Sequence, residues 1–320
     1  MAIEIGIVNA DTSVKLGSTT IQAGYIGFKQ FYNTYTSILD TYPSAYHAQS
    51  LRKLKSTYTG FCLRVRRTTT TPTVTTTTVD LGFDVYNTVS MNSPITVVSG
   101  LGTTSAKTLG EFAIGTVDGF TAHSVINVVT WYDQSGGGRN VTNATSTQQP
   151  TLVRLNAGVA TLETSGGKAS VRFASVNSQR LNLVNTSISY NNISNFVLAN
   201  AIAASNDFFF GLNETAATRY YIGGRAISYI SAGTFSYSAA TGVNRLYETI
   251  SGISTTSAYI NGGILSPSSV TSSLSVNAFI KIGAASTGFT DGYISEVISF
   301  IGTPSRTGIE SNINTYYTVW

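Results

Sequence analysis

Trp131-Tyr132-Asp133-Gln134-Ser135-Gly136-Gly137-Gly138-Arg139-Asn140 is the stretch on which the fold turns. It leaves an apolar run, Val125-Ile126-Asn127-Val128-Val129-Thr130, and enters three consecutive glycines that neither a strand nor a helix accommodates. A strand breaking into a tight polar turn is the pattern of an antiparallel β protein. Asp133 and Gln134 have side chains suited to binding backbone amides, so the leading reading is a structural clasp around the glycine loop. The same groups suit a sugar, with an aromatic face against the ring and a polar fork at its hydroxyls. Trp131, Tyr132, Asp133, Gln134 and Arg139 are then the contacts. Asp133 as a catalytic acid is a third reading.

The composition agrees with a β protein. Only 11% of the 320 residues are charged, against about 25% in typical domains. Hydrophobic residues make up 42%, with 18 Tyr and 15 Phe, which argues against disorder. The single cysteine, Cys62, excludes an internal disulfide, and the two histidines, His47 and His123, lie far apart. Neither a metal site nor a cofactor is expected. Arg52, Lys53, Lys55, Arg64, Arg66 and Arg67 fall between Thr41 and Val79 without an acid among them. The rest of the chain holds 13 of the 19 basic residues against all 15 acids. No nucleic-acid-binding motif accompanies this basic segment, so nucleic acid is not an expected partner. No apolar run reaches the roughly 18 residues of a membrane span. Met1-Ala2-Ile3-Glu4 lacks a secretory pattern, which gives the cytoplasm as the expected place of assembly.

Residues 1–38 read as a separate arm. Ile3, Ile5 and Ile7 alternate as a strand, Thr19 to Ala23 suggests a second, and Tyr25, Phe28, Phe31, Tyr32 and Tyr35 cluster after them. Such an arm either packs on the main domain as a hairpin or docks onto a neighbouring subunit.

Over residues 39–320 the pattern is one domain. Pro43 to Lys55 reads as a helix, with Ala48, Leu51 and Leu54 at three-to-four spacing. Phe61 to Arg67 alternates as a strand, with Leu63 and Val65 on one face and Arg64 and Arg66 on the other. The threonine-rich run Thr68 to Thr78, broken by Pro72, suggests an edge strand or exposed loop. Leu109 to Phe112 suggests a helical turn. Strands are expected at 148–153 and 169–173, with Gly166-Gly167-Lys168 as a turn between them. From residue 181 onward, short apolar runs recur every 10 to 15 residues, with hairpin signals such as Asn261-Gly262. That is the pattern of a sandwich. Thr303-Pro304 then starts a last helix lined by Ile309, Ile313 and Tyr316. Glu296 shares an alternation face with Ile294, Ile298 and Phe300, so it needs a partner. Arg64 and Arg66 are the candidate partners for it or for Asp133, which adds all three to the clasp. Tyr220, Tyr221, Tyr229, Tyr237, Trp131 and Trp320 are further candidates for stacking on a glycan.

Two groups of residues resemble known families. Leu51-Arg52-Lys53-Leu54, Tyr58-Thr59-Gly60, Leu63 to Arg67 and Val129-Thr130-Trp131-Tyr132-Asp133-Gln134-Ser135-Gly136 resemble the catalytic domain of the α-L-arabinofuranosidase B family. The likeness is closest to phage-encoded proteins that share its front half. Ala258-Tyr259-Ile260-Asn261-Gly262, Lys281-Ile282-Gly283 and Asp291 to Ile298 are similar to the closing strands of concanavalin A-like and laminin-G-like jelly rolls. The resemblance implies a jelly-roll β-sandwich over about 39–320.

The resemblance also implies where catalytic carboxylates would lie, and here those places are vacant. A retaining glycosidase needs two carboxylates roughly 5 Å apart. In the family's fungal enzymes the nucleophile, a Glu, lies on a mid-domain strand, and an Asp acid/base follows an Ile-Gly-Gly. Thr215 to Tyr247 contains neither Asp nor Glu, and the loop Ile282 to Gly288 lacks the acid. No catalytic residue is assigned. The expectation is a non-enzymatic virion protein of a bacteriophage: a head fibre, decoration or tail-fibre component, assembled in the host cytoplasm. It would form a homo-oligomer, with a trimer favoured, attach to capsid or tail proteins through residues 1–38, and hold host or mucosal glycans weakly. A glycoside hydrolase acting on arabinose-containing or capsular polysaccharide is the alternative.

Overall fold

Period-two alternation dominates the chain, and the backbone follows it. A computed structural model describes residues 14–16, 19–21, 36–69, 75–100, 106–114, 123–189, 192–202, 207–212, 220–229, 233–238, 240–252, 255–267, 269–271, 275–285 and 288–320. The chain divides into two compact units, residues 1–36 and 37–320. In the first, β1 (Val14–Leu16) and β2 (Thr19–Ile21) form an antiparallel hairpin. The expected Ile3 to Ile7 strand and the cluster from Tyr25 to Tyr35 lie outside the described residues.

The second unit begins with α1 (Ile38–Thr41) and six strands: β3 (Ala45–Ser50), β4 (Leu63–Thr69), β5 (Thr75–Leu81), β6 (Ile95–Ser99), β7 (Ile126–Trp131) and β8 (Val141–Thr142). α2 (Leu109–Ile114) precedes β7. There follow β9 (Thr151–Asn156), β10 (Val159–Leu162), β11 (Val171–Phe173), β12 (Leu181–Ser189), β13 (Ile193–Ala201) and β14 (Phe208–Leu212). Then come β15 (Tyr220–Gly223), β16 (Ala226–Tyr229), β17 (Gly233–Ser236), β18 (Arg245–Ser251), β19 (Thr255–Ile260), β20 (Ser275–Ile282) and β21 (Gly292–Ile301). α3 (Arg306–Tyr317) ends the chain.

A front sheet runs β6-β5-β4-β7-β8-β12-β20-β14-β15-β16-β17. A back sheet runs β19-β18-β13-β21, and the far side of β21 is shared by β3 and β11. β9 bridges the two, pairing with β11 through Thr151 and with β7 through Val153. Leu63, Val65, Val79, Trp131, Ile280 and Ile282 from the front meet Val197, Tyr247, Ala258, Ile294 and Val297 from the back in one buried core. The other face of the back sheet is covered as well: Ala48, Phe196, Leu198, Leu246, Ile298 and Phe300 pack against Ile309, Ile313 and Tyr317 of α3 and Ile38 and Leu39 of α1. The result is the expected all-β sandwich with short helices.

Several expectations are corrected. Pro43 to Lys55 contains strand β3 and an extended tail, with no helix. β3 is buried on both faces, so its residues lack the polar alternation that marks a half-exposed strand. Leu54 and Ala48 face α3 while Leu51 joins the sandwich core. Where it is described, the threonine run is strand at the end of the β4–β5 hairpin: Thr68 and Thr69 pair with Thr76 and Thr75, and only Thr78 of the run also pairs with β6. β5 pairs with β4 on one side and β6 on the other, and β6 is the edge. Glu296 does not share a face with Ile294. The pairing slips between Leu198–Glu296 and Ala199–Ile294, leaving Ser295 as a bulge that turns Ile294 into the sandwich core. α3 starts two residues later than expected, with Ser305 at its N-cap, and Tyr317 rather than Tyr316 is its deeply buried tyrosine.

Candidate functional site

The Trp131–Asn140 turn is tied to β3 by nearly every polar group it has. Asp133 Oδ1 accepts from the Ala48 and Ser135 amides at 2.8 and 2.9 Å, and Oδ2 accepts from Ser135 Oγ at 2.7 Å and the Arg139 amide at 2.9 Å. Gln134 Oε1 accepts from the Leu54 amide at 2.7 Å, while Nε2 donates to the Ser50 and Arg52 carbonyls at 2.9 and 3.0 Å. The Gln134 amide donates to the Ala48 carbonyl. The loop therefore covers the free edge of β3, which would otherwise expose an unpaired ladder. Gly136 and Gly138, at φ +88° and +68°, give the reversal a backbone that other residues adopt only with strain. Arg139 lays its guanidinium 3.8 Å from the Tyr46 ring centroid and donates to the Tyr46 carbonyl.

These contacts decide which of the five sugar candidates a ligand can reach. Trp131 is fully buried in the sandwich core, and Asp133 and Gln134 are buried too. None of these three can meet a glycan. Tyr132 and Arg139 are partly exposed. Of the other stacking candidates, Tyr220 is buried in the core, Trp320 is half exposed, and Tyr221 and Tyr237 are partly buried.

The arginine assignments are corrected as well. Arg64 does not reach Asp133 or Glu296; its Nε and Nη2 form a fork on Asp80, both at 2.9 Å. Arg66 donates to Gln149 Oε1, Thr68 Oγ1 and the Ser146 carbonyl. Glu296 is held by Arg52, whose Nε and Nη2 reach its two oxygens at 2.7 and 2.8 Å, with Ser50 Oγ donating at 2.7 Å. Tyr316 and Tyr317 stack over that guanidinium, so the pair pins α3 to the back sheet. Among the described residues no group of three or more His, Cys, Asp or Glu could hold a metal ion.

One carboxyl pair has the electronic character of a catalytic acid. Burial pushes Glu248 up to about 9, and the hydrogen bond and charge of Glu310 add to the rise. Arg306 of α3 pairs with Glu310 and stands 3.9 Å from Glu248 Oε2, which is buried and within ion-pair but not hydrogen-bond distance of it. Yet Glu248 is fully buried, and Glu310, on the buried side of α3, nearly so. No sugar can reach them. Their perturbation is a packing effect.

The open chemistry lies on the outer face of the front sheet. Asp80, Arg64, Thr130, Thr142, Asn182 and Lys281 are successive cross-strand neighbours on β5, β4, β7, β8, β12 and β20. Their strand neighbours Leu63, Val65, Val79, Leu81, Val141, Leu181, Ile280 and Ile282 are core residues. Alternation therefore turns the six polar groups away from the core. Five strand spacings of about 4.8 Å make this row roughly 24 Å long. Tyr132 stands at one end, donating to Asp80 Oδ1 at 2.7 Å, beside the exposed Phe61. At the other end Arg180 stacks on Phe289 at 5.5 Å. Thr130 and Thr142 share a 3.2 Å hydroxyl contact in the middle.

No protein-family model matches the chain, and no curated protein does either. Solved structures do. A family GH54 α-L-arabinofuranosidase soaked with a cyclic sulfate inhibitor is similar at 16% identity and TM-score 0.54, covering 87% of this chain and 64% of that one. An arabinofuranosidase complexed with arabinofuranosyl-α-1,2-xylobiose is similar at 15% identity and TM-score 0.52, over 88% and 65%. The chain thus spans just under two thirds of these proteins' length. The shared feature is the β-sandwich fold.

Proposed function

We propose that the protein is a non-enzymatic glycan-binding sandwich carried on a bacteriophage particle, as a head fibre, decoration or tail-fibre component. The observation that carries the glycan reading is the polar row from Asp80 to Lys281 across the front sheet, in which every member but Asp80 keeps some exposure, with Tyr132 and Phe61 at its end. A string of hydroxyl, amide and fork-like charged groups beside an exposed aromatic is what an extended saccharide needs: directional partners for its hydroxyls and an apolar face for a ring. The sandwich is one that arabinofuranosidases also use. Against hydrolysis, the only described carboxyl pair with a strongly raised member is buried between α3 and the back sheet.

The virion reading rests on the sequence likeness to phage proteins and on a separate N-terminal unit suited to anchoring on capsid or tail. The proposed assembly is a homotrimer, and the ligands are host or mucosal glycans. The test of the glycan reading is binding of purified protein to immobilised polysaccharides, compared with a Thr130→Val/Thr142→Val variant. Binding lost in the variant at unchanged melting temperature supports it. Release of reducing sugar, abolished by replacing one carboxylate, would move the protein to the hydrolases. For the anchor, a chain starting at Ser37 keeps Ile38 and Leu39 in the core; it should fold but fail to join particles.

A further inference from the structure

We infer that the Tyr132 end of the front-sheet row is a subsite for one uncharged sugar ring, with Phe61 and Tyr132 as its apolar floor, Arg64 as its hydroxyl donor and Asp80 as the residue that positions both. This rests on the glycan-binding reading above and specifies which part of the row takes a ring, and of what charge. The subsite is built around one carboxylate. Asp80 Oδ1 accepts from Arg64 Nε at 2.9 Å and from the Tyr132 hydroxyl at 2.7 Å, and Oδ2 accepts from Arg64 Nη2 at 2.9 Å. With its hydroxyl committed to Asp80, Tyr132 has its ring to offer a ligand. The Arg64 guanidinium carbon lies 6.0 Å from the centre of that ring. Asp80 uses Nε and Nη2, which leaves Nη1 beyond the fork on a side chain that is 35% exposed.

Phe61 supplies the second ring, 6.4 Å from that of Tyr132 and tilted by 44° to it. A single exposed apolar side chain is ordinary on a protein surface. Phe61 differs in being 39% exposed on a backbone that is tied down. The Tyr58 hydroxyl donates to its carbonyl at 2.9 Å, the Cys62 amide that follows donates to the Leu81 carbonyl, and the Tyr132 amide donates to the Cys62 carbonyl. Gly60 lacks the Cβ that would strike the Tyr58 ring, so that tyrosine folds back to make its bond. A flat ring on a fixed backbone is ordered before the ligand arrives, which lowers the entropic cost of binding. It meets the C–H side of a sugar, while Arg64 Nη1 and the hydroxyl of Thr130, the cross-strand neighbour of Arg64, meet hydroxyls at the rim. Charge then selects the ring. Asp80 already answers the guanidinium, so a sugar carboxylate gains no unanswered cation here and is brought close to Asp80. The next cation on that face of β4, Arg66, lies one alternation step farther from Phe61 and bonds Gln149, Thr68 and the Ser146 carbonyl.

Calorimetric titration of the full chain with dextran, hydroxyethylcellulose, galactomannan and polygalacturonate tests this. The expected result is binding to at least one of the three neutral polymers, weakened about tenfold by Phe61→Leu, which keeps apolar bulk and loses the flat face. Phe61→Trp should restore it. Any affinity for polygalacturonate should be the same in the parent and in Phe61→Leu. Asp80→Asn keeps the shape and removes the charge. It should weaken binding of the neutral polymer and move the tyrosine ring signal that is absent from Tyr132→Phe, read by NMR of ring-labelled protein. If Asp80→Asn changes neither, Asp80 does not position the subsite and the inference fails. Binding to polygalacturonate alone, or an equal loss on it in Phe61→Leu, overturns the choice of an uncharged ring. If Phe61→Leu binds neutral polymers like the parent while Thr130→Val/Thr142→Val loses them, this inference falls and the glycan reading stands. Binding to no polysaccharide overturns both.

Discussion

The outer faces of the two sheets carry the same kinds of residue to opposite ends. On the back sheet, Arg52, Glu296, Glu248 and Ser50 lie under α3 and are buried. On the front sheet, Arg64, Thr130, Asn182 and Lys281 are only partly buried and Thr142 is exposed. A covering helix turns polar groups into fasteners, because each must find a protein partner in a dry setting. Polar groups that keep some exposure remain available to a ligand. If that contrast is right, polar substitutions behind should unfold the protein, and those in front should spare it.

The largest effect is expected at Arg52. Arg52→Met leaves Glu296 buried without its countercharge and should cost about 3–5 kcal/mol, read by urea unfolding. Arg52→Met/Glu296→Met should recover most of that loss. A single variant costing under about 1 kcal/mol would show that water already reaches the pair. The clasp comes next. Asp133→Ala strands two amides on the loop, a hydroxyl and the Ala48 amide. It should cost on the order of 3 kcal/mol, with the edge of β3 exchanging its amide protons faster.

Glu248 gives the comparison a pH dependence. Its folded value, about 9, stands above the ordinary 4.5 because of burial and Glu310. The folded state therefore holds a proton that the unfolded chain releases between those values. The contribution is fully present below about 4.5 and is lost as pH rises toward 9. Glu248→Gln removes the titration while keeping the shape. Its stability relative to the parent should rise steadily from pH 5 to pH 9, as roughly the ordinary and folded values dictate. A pH-independent difference would mean that Glu248 is already ionised under α3.

The same contrast explains what could be read from sequence. Front-sheet strands alternate because one face is wet: Leu63-Arg64-Val65, Val79-Asp80-Leu81 and Ile280-Lys281-Ile282 each state their register locally. Strand β3 is dry on both faces, and Ala48, Leu51 and Leu54 imitate a helix by spacing alone. Its amides, which a helix would use internally, are instead taken by Glu296 to Phe300 and by the clasp. The clasp itself was legible from Asp133, Gln134 and the glycines. The need of Glu296 for a partner was legible too, but not that the partner is Arg52, since 244 residues separate them and only the fold brings them together. Nor was the polar row. Each member is visible as an alternation position on its own strand, but their order across the sheet depends on pairings between distant segments.

The smallest expected effect on stability is the most informative about function. Thr142 is exposed, and its hydroxyl donates to the Val129 carbonyl at 2.9 Å beside Thr130. Thr142→Val keeps the β-branched shape that suits a strand and removes only that polar group. Stability should change by no more than about 0.5 kcal/mol. Ser50→Ala is the matched loss of one hydroxyl on the covered face, where Ser50 Oγ serves both Glu296 and the Arg52 amide. It should cost about 1–2 kcal/mol and leave glycan binding untouched. A ligand lying along the front row predicts the reverse for Thr142→Val, with binding weakened and unfolding unmoved. If both variants shift stability alike, the front face is as internally committed as the back, and its row is not where a ligand lies.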